Sequence, residues 1–121
     1  MTEEPCSKHD IENLRIIIGF CKDIKLLTEL HGRSETAFRK NISLQYSCVF
    51  SLEQIGEHVK RLSSELKNKY SETDWKGVAG LRDKIVHNYG SIDLSWIMAS
   101  VTDEVPVLKT VCEKILKELE I

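Results

Sequence analysis

Glu35–Lys69 reads ETAFRKNISLQYSCVFSLEQIGEHVKRLSSELKNK. Its apolar side chains recur every three or four residues: Ala37 and Phe38, Ile42, Gln45 and Tyr46, Val49, Leu52, Ile55, Val59, Leu62 and Leu66. That period is the period of one helix face, and it predicts a single long helix over 35–69, the longest of the chain. Gly56 interrupts it at a cost of about 1 kcal/mol in helix propensity, which marks a place where another helix comes close.

Upstream, Ile11, Leu14, Ile17, Ile18, Cys21, Ile24 and Leu27 repeat the pattern and continue to Leu30. Ser7 and Asp10 have capping-box spacing at its start, and His31-Gly32 suits its end. Downstream, Tyr70–Thr73 breaks the periodicity, and Ser71 with Asp74 again has capping-box spacing. A helix then runs from Trp75 to about Asn88, stopped by Asn88-Tyr89-Gly90. Gly77 and Gly80 within it point to tight packing. A fourth segment carries Leu94, Ile97, Met98 and Val101. Asp103 is the expected cap of a last helix with Pro106 in its first turn, where a missing N–H is tolerated, and with Val105, Leu108, Val111, Cys112, Ile115 and Leu119 on its buried stripe. No segment alternates with period two. The fold class is all-α, an antiparallel bundle of four to five helices.

A chain of 121 residues is one domain, with its core over about 7–119. Hydrophobic residues make up 41% and charged residues 30%, as in a globular protein rather than a disordered one. A net charge of −2 argues against a strongly basic coat for nucleic acid but leaves room for a local positive pocket. Cys6, Cys21, Cys48 and Cys112 are widely spaced and form no C-x-x-C, so free thiols in a reducing cytosol are expected. No apolar run approaches a membrane span, and the first ten residues lack the apolar core of a secretion signal, so a cytoplasmic location is expected.

Chemistry concentrates at Leu81-Arg82-Asp83-Lys84-Ile85-Val86-His87-Asn88-Tyr89. Arg82 and His87 are separated by four residues, and Tyr89 follows after one more, giving R-x4-H-x-Y. An arginine presents a planar, permanently charged donor fork that matches a phosphate. A histidine titrates near neutrality and moves protons to and from oxygen. Together they suffice for RNA cleavage without a metal or cofactor: the ribose 2′-hydroxyl attacks phosphorus, histidine manages the proton, and arginine stabilises the phosphoryl oxygens. On an ideal helix, Arg82 and His87 point about 140° apart while Arg82 and Tyr89 share a face. The pair therefore needs either helix termination near His87 or a second subunit. The plainer alternative is an arginine paired with Asp83 or Asp93. His9 and His58 lie among charges and read as solvated surface groups, and His31 as a group at a helix C-terminus. No histidine has metal-ligand spacing, so no metal site is assigned. Trp75 and Trp96 read as core or interface anchors, and Lys60, Arg61, Lys67 and Lys69, interleaved with Glu57 and Glu65, as a solvated face.

These residues carry a resemblance. Leu52 followed by Glu53-Gln54-Ile55-Gly56-Glu57 looks like the L-E-x-I-G-E segment of HepT-like proteins of the HEPN superfamily. Asp74-Trp75-Lys76-Gly77-Val78-Ala79-Gly80-Leu81-Arg82 is similar to their P-W-x-x-I-A-G-x-R approach, with Asp74 in place of the usual proline. Ile92-Asp93, Trp96 and Val105-Pro106-Val107-Leu108 fit the downstream positions, so the likeness spans residues 10 to 119. It implies a helical bundle that dimerises with the R-x4-H helices at the cleft, and a metal-independent ribonuclease toxin with RNA as substrate. It implies catalysis by Arg82 and His87, with Asp83 and Asn88 as supporting positions. It further implies a partner, an MntA-type minimal nucleotidyltransferase antitoxin that transfers AMP to Tyr89. Negative charge placed beside Arg82 would compete for the phosphate pocket. The rival readings are a catalytically silent module that binds nucleotide or docks the nucleotidyltransferase, and a plain helical dimerisation domain.

Overall fold

The computed structural model describes residues 3–31, 34–87 and 94–120, with the side chains of 3–7, 82, 86 and 87 outside that description. Most of the described residues are helical and none of them is in a strand, as the periodicity predicts. The helices are α1 (Glu3–His31), α2 (Glu35–Lys40), α3 (Ile42–Lys60), α4 (Ser64–Lys69), α5 (Trp75–Ala79), α6 (Leu81–His87), α7 (Leu94–Ala99) and α8 (Val105–Leu119), with a π-helical turn, Ser100–Glu104, between the last two. α1 packs along α3 on one side and α8 on the other, while α5 and α6 cover another flank of α3. Leu14, Ile17, Cys21 and Ile24 of α1, Leu44, Cys48, Leu52, Ile55 and Val59 of α3, and Cys112 and Ile115 of α8 fill the shared interior.

The expected 35–69 helix is three helices, and α1 is longer than any of them. The first break is at Asn41, whose backbone is extended (φ −119°, ψ 95°). Its Oδ1 accepts the Leu44 N–H at 3.0 Å, so Asn41 caps α3 rather than continuing α2. Asparagine competes with the helical backbone in this way wherever its side chain reaches an N–H. Gln45 Nε2 closes the break by donating to the Phe38 and Arg39 carbonyls at 2.9 and 3.1 Å. The second break is at Ser63, whose Oγ accepts the Leu66 N–H at 3.1 Å to start α4.

Asp10 explains why that second break is stable. The Ser7–Asp10 capping box does not form, because α1 already begins at Glu3 and Asp10 lies inside it. Its carboxylate is 5% exposed and instead takes the Ser63 N–H at 2.8 Å and the Ser63 hydroxyl at 2.6 Å. A buried carboxylate is tolerated only when hydrogen bonds replace its water, and these two do so.

Asp74 is the observed cap of α5, its Oδ1 taking the Gly77 N–H at 3.0 Å. A Cβ on Gly77 would stand 2.3 Å from Asp74 Oδ2, so this glycine serves the cap rather than the close approach of another helix. Trp75 is buried and donates its indole N–H to the Tyr70 carbonyl at 2.9 Å, a core anchor as expected. No Asp103 cap separates the last two helices. The chain stays helical through the π turn, which the Val105 N–H closes on the Ser100 carbonyl. Pro106 has no N–H, and its ring crowds the carbonyl four residues back, so a widened turn just before it relieves both problems.

Cys21, Cys48 and Cys112 are buried free thiols, as predicted, and burial pushes them up to about 12, 11 and 12. They behave as small hydrophobes. His9 and His31 are exposed. His58 is not the surface group that its charged neighbours suggested: it is 8% exposed, with Nδ1 2.9 Å from Asn13 Oδ1. Asn13 Nδ2 donates to the His9 carbonyl, which turns its oxygen toward His58 and sets the imidazole proton on Nδ1. Burial, and then the nearby Arg61 charge, lower the His58 pKa below its ordinary 6.5, against a smaller opposing effect of Glu57. The unfolded chain therefore protonates first as pH falls through 6.5, binds more protons than the folded chain, and gains at its expense. Denaturation midpoints measured between pH 7 and pH 5 are expected to fall more steeply for the wild type than for His58→Gln. Equal slopes would show that this histidine does not couple to folding.

Candidate functional site

α6 carries the R-x4-H pair and is fixed by three contacts on different sides. Ile85 is 3% exposed and anchors the helix in the core. Asp83 Oδ2 lies 3.6 Å from Lys60 Nζ, tying α6 to the last residue of α3. Lys84 Nζ stands 4.4 Å above the ring of Trp96 in α7, a cation–π contact. Trp96 is half-buried, so it is an inter-helix anchor of the kind expected. Neither Lys60 nor Trp96 was marked by sequence as a support of the motif, because each contact joins α6 to a different helix and depends on how the helices pack. Lys60 had read only as part of a solvated basic face. Of the rest of that face Arg61 and Lys69 are exposed and Lys67 is half-buried, with Arg61 4.0 Å from Glu57 and Lys69 5.5 Å from the centre of the Tyr70 ring.

Arg82 and His87 both fall within α6, five residues and about 7.5 Å of helix rise apart. Position 87 shares the helical phase of Asp83, four residues earlier, whereas position 82 is about 140° away. On a straight helix the two positions therefore fall on different sides. Asn88 and Tyr89, the second supporting position and the expected modification site, lie outside the described residues, as do Gly32, Gly90 and Asp93. Among the described residues no three His, Cys, Asp or Glu side chains are grouped as a metal would need, and no helix is long and apolar enough to cross a membrane.

The family described as ribonuclease HepT-like matches residues 11–115. The chain belongs to the HepT-like family. That match contains α6 together with α3, α5 and α7, which meet it. Among the relatives of this HepT-like chain is "Putative RNase MJ0125" of Methanocaldococcus jannaschii, 34% identical over 114 residues, which span 93% of this chain and 97% of the relative. "Putative RNase TTE0752" of Caldanaerobacter subterraneus is 37% identical over 93 residues, 77% of this chain and 83% of the relative. "Probable ribonuclease HepT" of Thermococcus cleftensis is 33% identical over 73 residues, 60% of this chain and 66% of the relative. No solved structure matches the chain.

Proposed function

We propose that this chain is a metal-independent endoribonuclease, the toxin of a toxin–antitoxin pair, acting on RNA as a homodimer. The observation that carries the reading is the HepT-like match over residues 11–115 together with an intact R-x4-H on α6. The RNase names of its relatives support RNA as the substrate class. In this reading His87 takes the proton of a ribose 2′-hydroxyl as its oxygen attacks phosphorus. The 5′-oxygen of the next nucleotide leaves and is protonated in turn, and a 2′,3′-cyclic phosphate remains. Arg82 holds the non-bridging oxygens as their charge grows. Because positions 82 and 87 lie on different sides of α6, two copies of the helix facing each other would bring one arginine and one histidine to a common phosphate. Asp83 and Asn88 flank the pair as supports. A nucleotidyltransferase antitoxin partner would silence the site by adding AMP to Tyr89, setting phosphate charge beside Arg82.

The test is cleavage of a defined RNA in excess EDTA by protein whose intact mass shows no AMP adduct. The expected result is cleavage with 2′,3′-cyclic phosphate ends. A folded, unmodified protein that leaves several RNAs intact but binds nucleotide would instead establish the silent binding module.

A further inference from the structure

Where α1 meets α8, the π turn borders a hollow of about 510 Å³. That volume falls within the range of about 300–1,000 Å³ that small-ligand sites occupy. Cys21 and Ile24 of α1, with Val101 and Val105, make its apolar floor, and none of the four is more than 5% exposed. No residue of α6 lines it, so the hollow is separate from the R-x4-H motif.

The polar groups of the hollow divide into donors and acceptors. The donors are the ammonium groups of Lys25 and Lys109. Lys109 pairs with Glu113 at 3.2 Å and keeps only 24% of its side chain exposed. Burial is the main influence on the Cys21 thiol; after it, Lys109 acts more strongly than Glu113, so the positive end of that pair is nearer the floor. Three hydroxyls stand on the acceptor side. Thr28 Oγ1 donates to the Lys25 carbonyl at 2.9 Å, Thr102 Oγ1 to the Met98 carbonyl at 2.8 Å and Thr110 Oγ1 to the Pro106 carbonyl at 3.1 Å. With their protons committed to backbone, these oxygens have only lone pairs to offer a ligand. Glu29, one helical turn beyond Lys25, adds a carboxylate.

The π turn enlarges the acceptor side. In an α-helix the Val101 carbonyl would take the Val105 N–H, and the Thr102 carbonyl the N–H of residue 106. Here the Val105 N–H goes to Ser100 and residue 106 is a proline, so both carbonyls lose those donors in residues that line the hollow. Ser100 itself is 1% exposed, and its Oγ has no hydrogen-bond partner among the described residues. A turn that holds polar groups short of partners beside a cavity is a frequent setting for function.

We propose that this hollow binds a free amino acid with a large apolar side chain. Its carboxylate meets Lys109 and Lys25, its ammonium meets the threonine oxygens, Glu29 and the carbonyls of the π turn, and its side chain covers the apolar floor. A ligand carrying only the acid leaves the acceptors unanswered, and one carrying only the amine faces two lysines. Such binding needs neither the motif nor a second copy of the chain, and so goes beyond the ribonuclease reading.

L-Phenylalanine, 3-phenylpropionate and phenethylamine share one apolar group and differ in their charged groups alone. Chemical-shift titration of the full chain is expected to show L-phenylalanine binding roughly 10-fold or more tighter than either analogue, the effect of one well-paired charged group. Lys109→Met keeps the apolar stem and is expected to weaken L-phenylalanine by about 10-fold while leaving phenethylamine no weaker. Thr110→Trp, on the exposed rim, is expected to close the hollow and abolish binding with unchanged helical circular dichroism. A folded chain that ignores millimolar L-phenylalanine would overturn the proposal. Equal binding of 3-phenylpropionate would overturn the amino-acid assignment, and unchanged binding by both folded variants would place the ligand outside this hollow.

Discussion

His87→Ala is expected to lower RNA cleavage by roughly 10²–10⁴-fold, the usual contribution of a positioned proton-transfer group, or about 3–5 kcal/mol of barrier. Arg82→Ala is expected to cost about 10²–10³-fold, the magnitude of losing one preorganised donor at a developing oxyanion. Arg82→Lys keeps the charge but loses the planar fork, so it should recover only part of that loss. Single-turnover rates on a short labelled RNA, with thermal melts beside them, separate chemistry from folding. Histidine and arginine act on one transition state, so the double variant should fall well short of the product of the two single losses. Full cleavage by His87→Ala would remove the histidine from the mechanism. A lone loss at Arg82 would point to substrate binding without acid–base help from α6.

Sequence periodicity placed most of the core correctly. Phe38, Leu52, Ile55, Val59, Leu62 and Leu66 are all buried where the 35–69 stripe put them. Its failures are instructive because they cluster. Leu30, Ile42 and Tyr46 fit their stripes as well as any core residue, yet each is more than half exposed. Hydrophobic spacing marks which side of a helix is apolar, not whether the rest of the chain covers it, and these three lie on α1 and α3. The breaks at Asn41 and Ser63 were illegible for a different reason. A capping side chain inside a continuous apolar pattern is visible only once its distant partner is known, and for Ser63 that partner is Asp10, 53 residues earlier. His58 failed for the same reason, since Asn13 is 45 residues away. The candidate site was legible as a spacing on one helix, with its 140° offset, whereas the Lys60 and Trp96 contacts that fix α6 were not.

The Asp10–Ser63 link yields the largest expected loss of stability. Asp10→Ala removes both hydrogen bonds at once and leaves the Ser63 N–H and hydroxyl facing a part-buried gap. Hydrogen bonds to a charged acceptor are worth about 1.5–3 kcal/mol each, and an orphaned buried donor costs about 1–3 kcal/mol. Relief of the Asp10 desolvation offsets some of this, so a net loss of about 2–3 kcal/mol is expected from urea denaturation. Asp10→Asn retains an acceptor for the Ser63 N–H and turns an amide toward the Ser63 oxygen, which already accepts from Leu66. It should therefore lose about half as much. Ser63→Ala removes the hydroxyl link and the α4 cap together but keeps the backbone bond to Asp10, and is expected to cost about 1–2 kcal/mol. The three residues share one network, so Asp10→Ala with Ser63→Ala should be less damaging than the sum. Additive losses would mean that Asp10 stabilises α1 on its own. The difference matters for α6: α4 follows directly from the end of α3 that carries Lys60, so loosening Ser63 releases the lysine that holds Asp83. A preparation of Asp10→Ala that is folded yet slower in RNA cleavage would trace that connection from the core of the bundle to the motif helix.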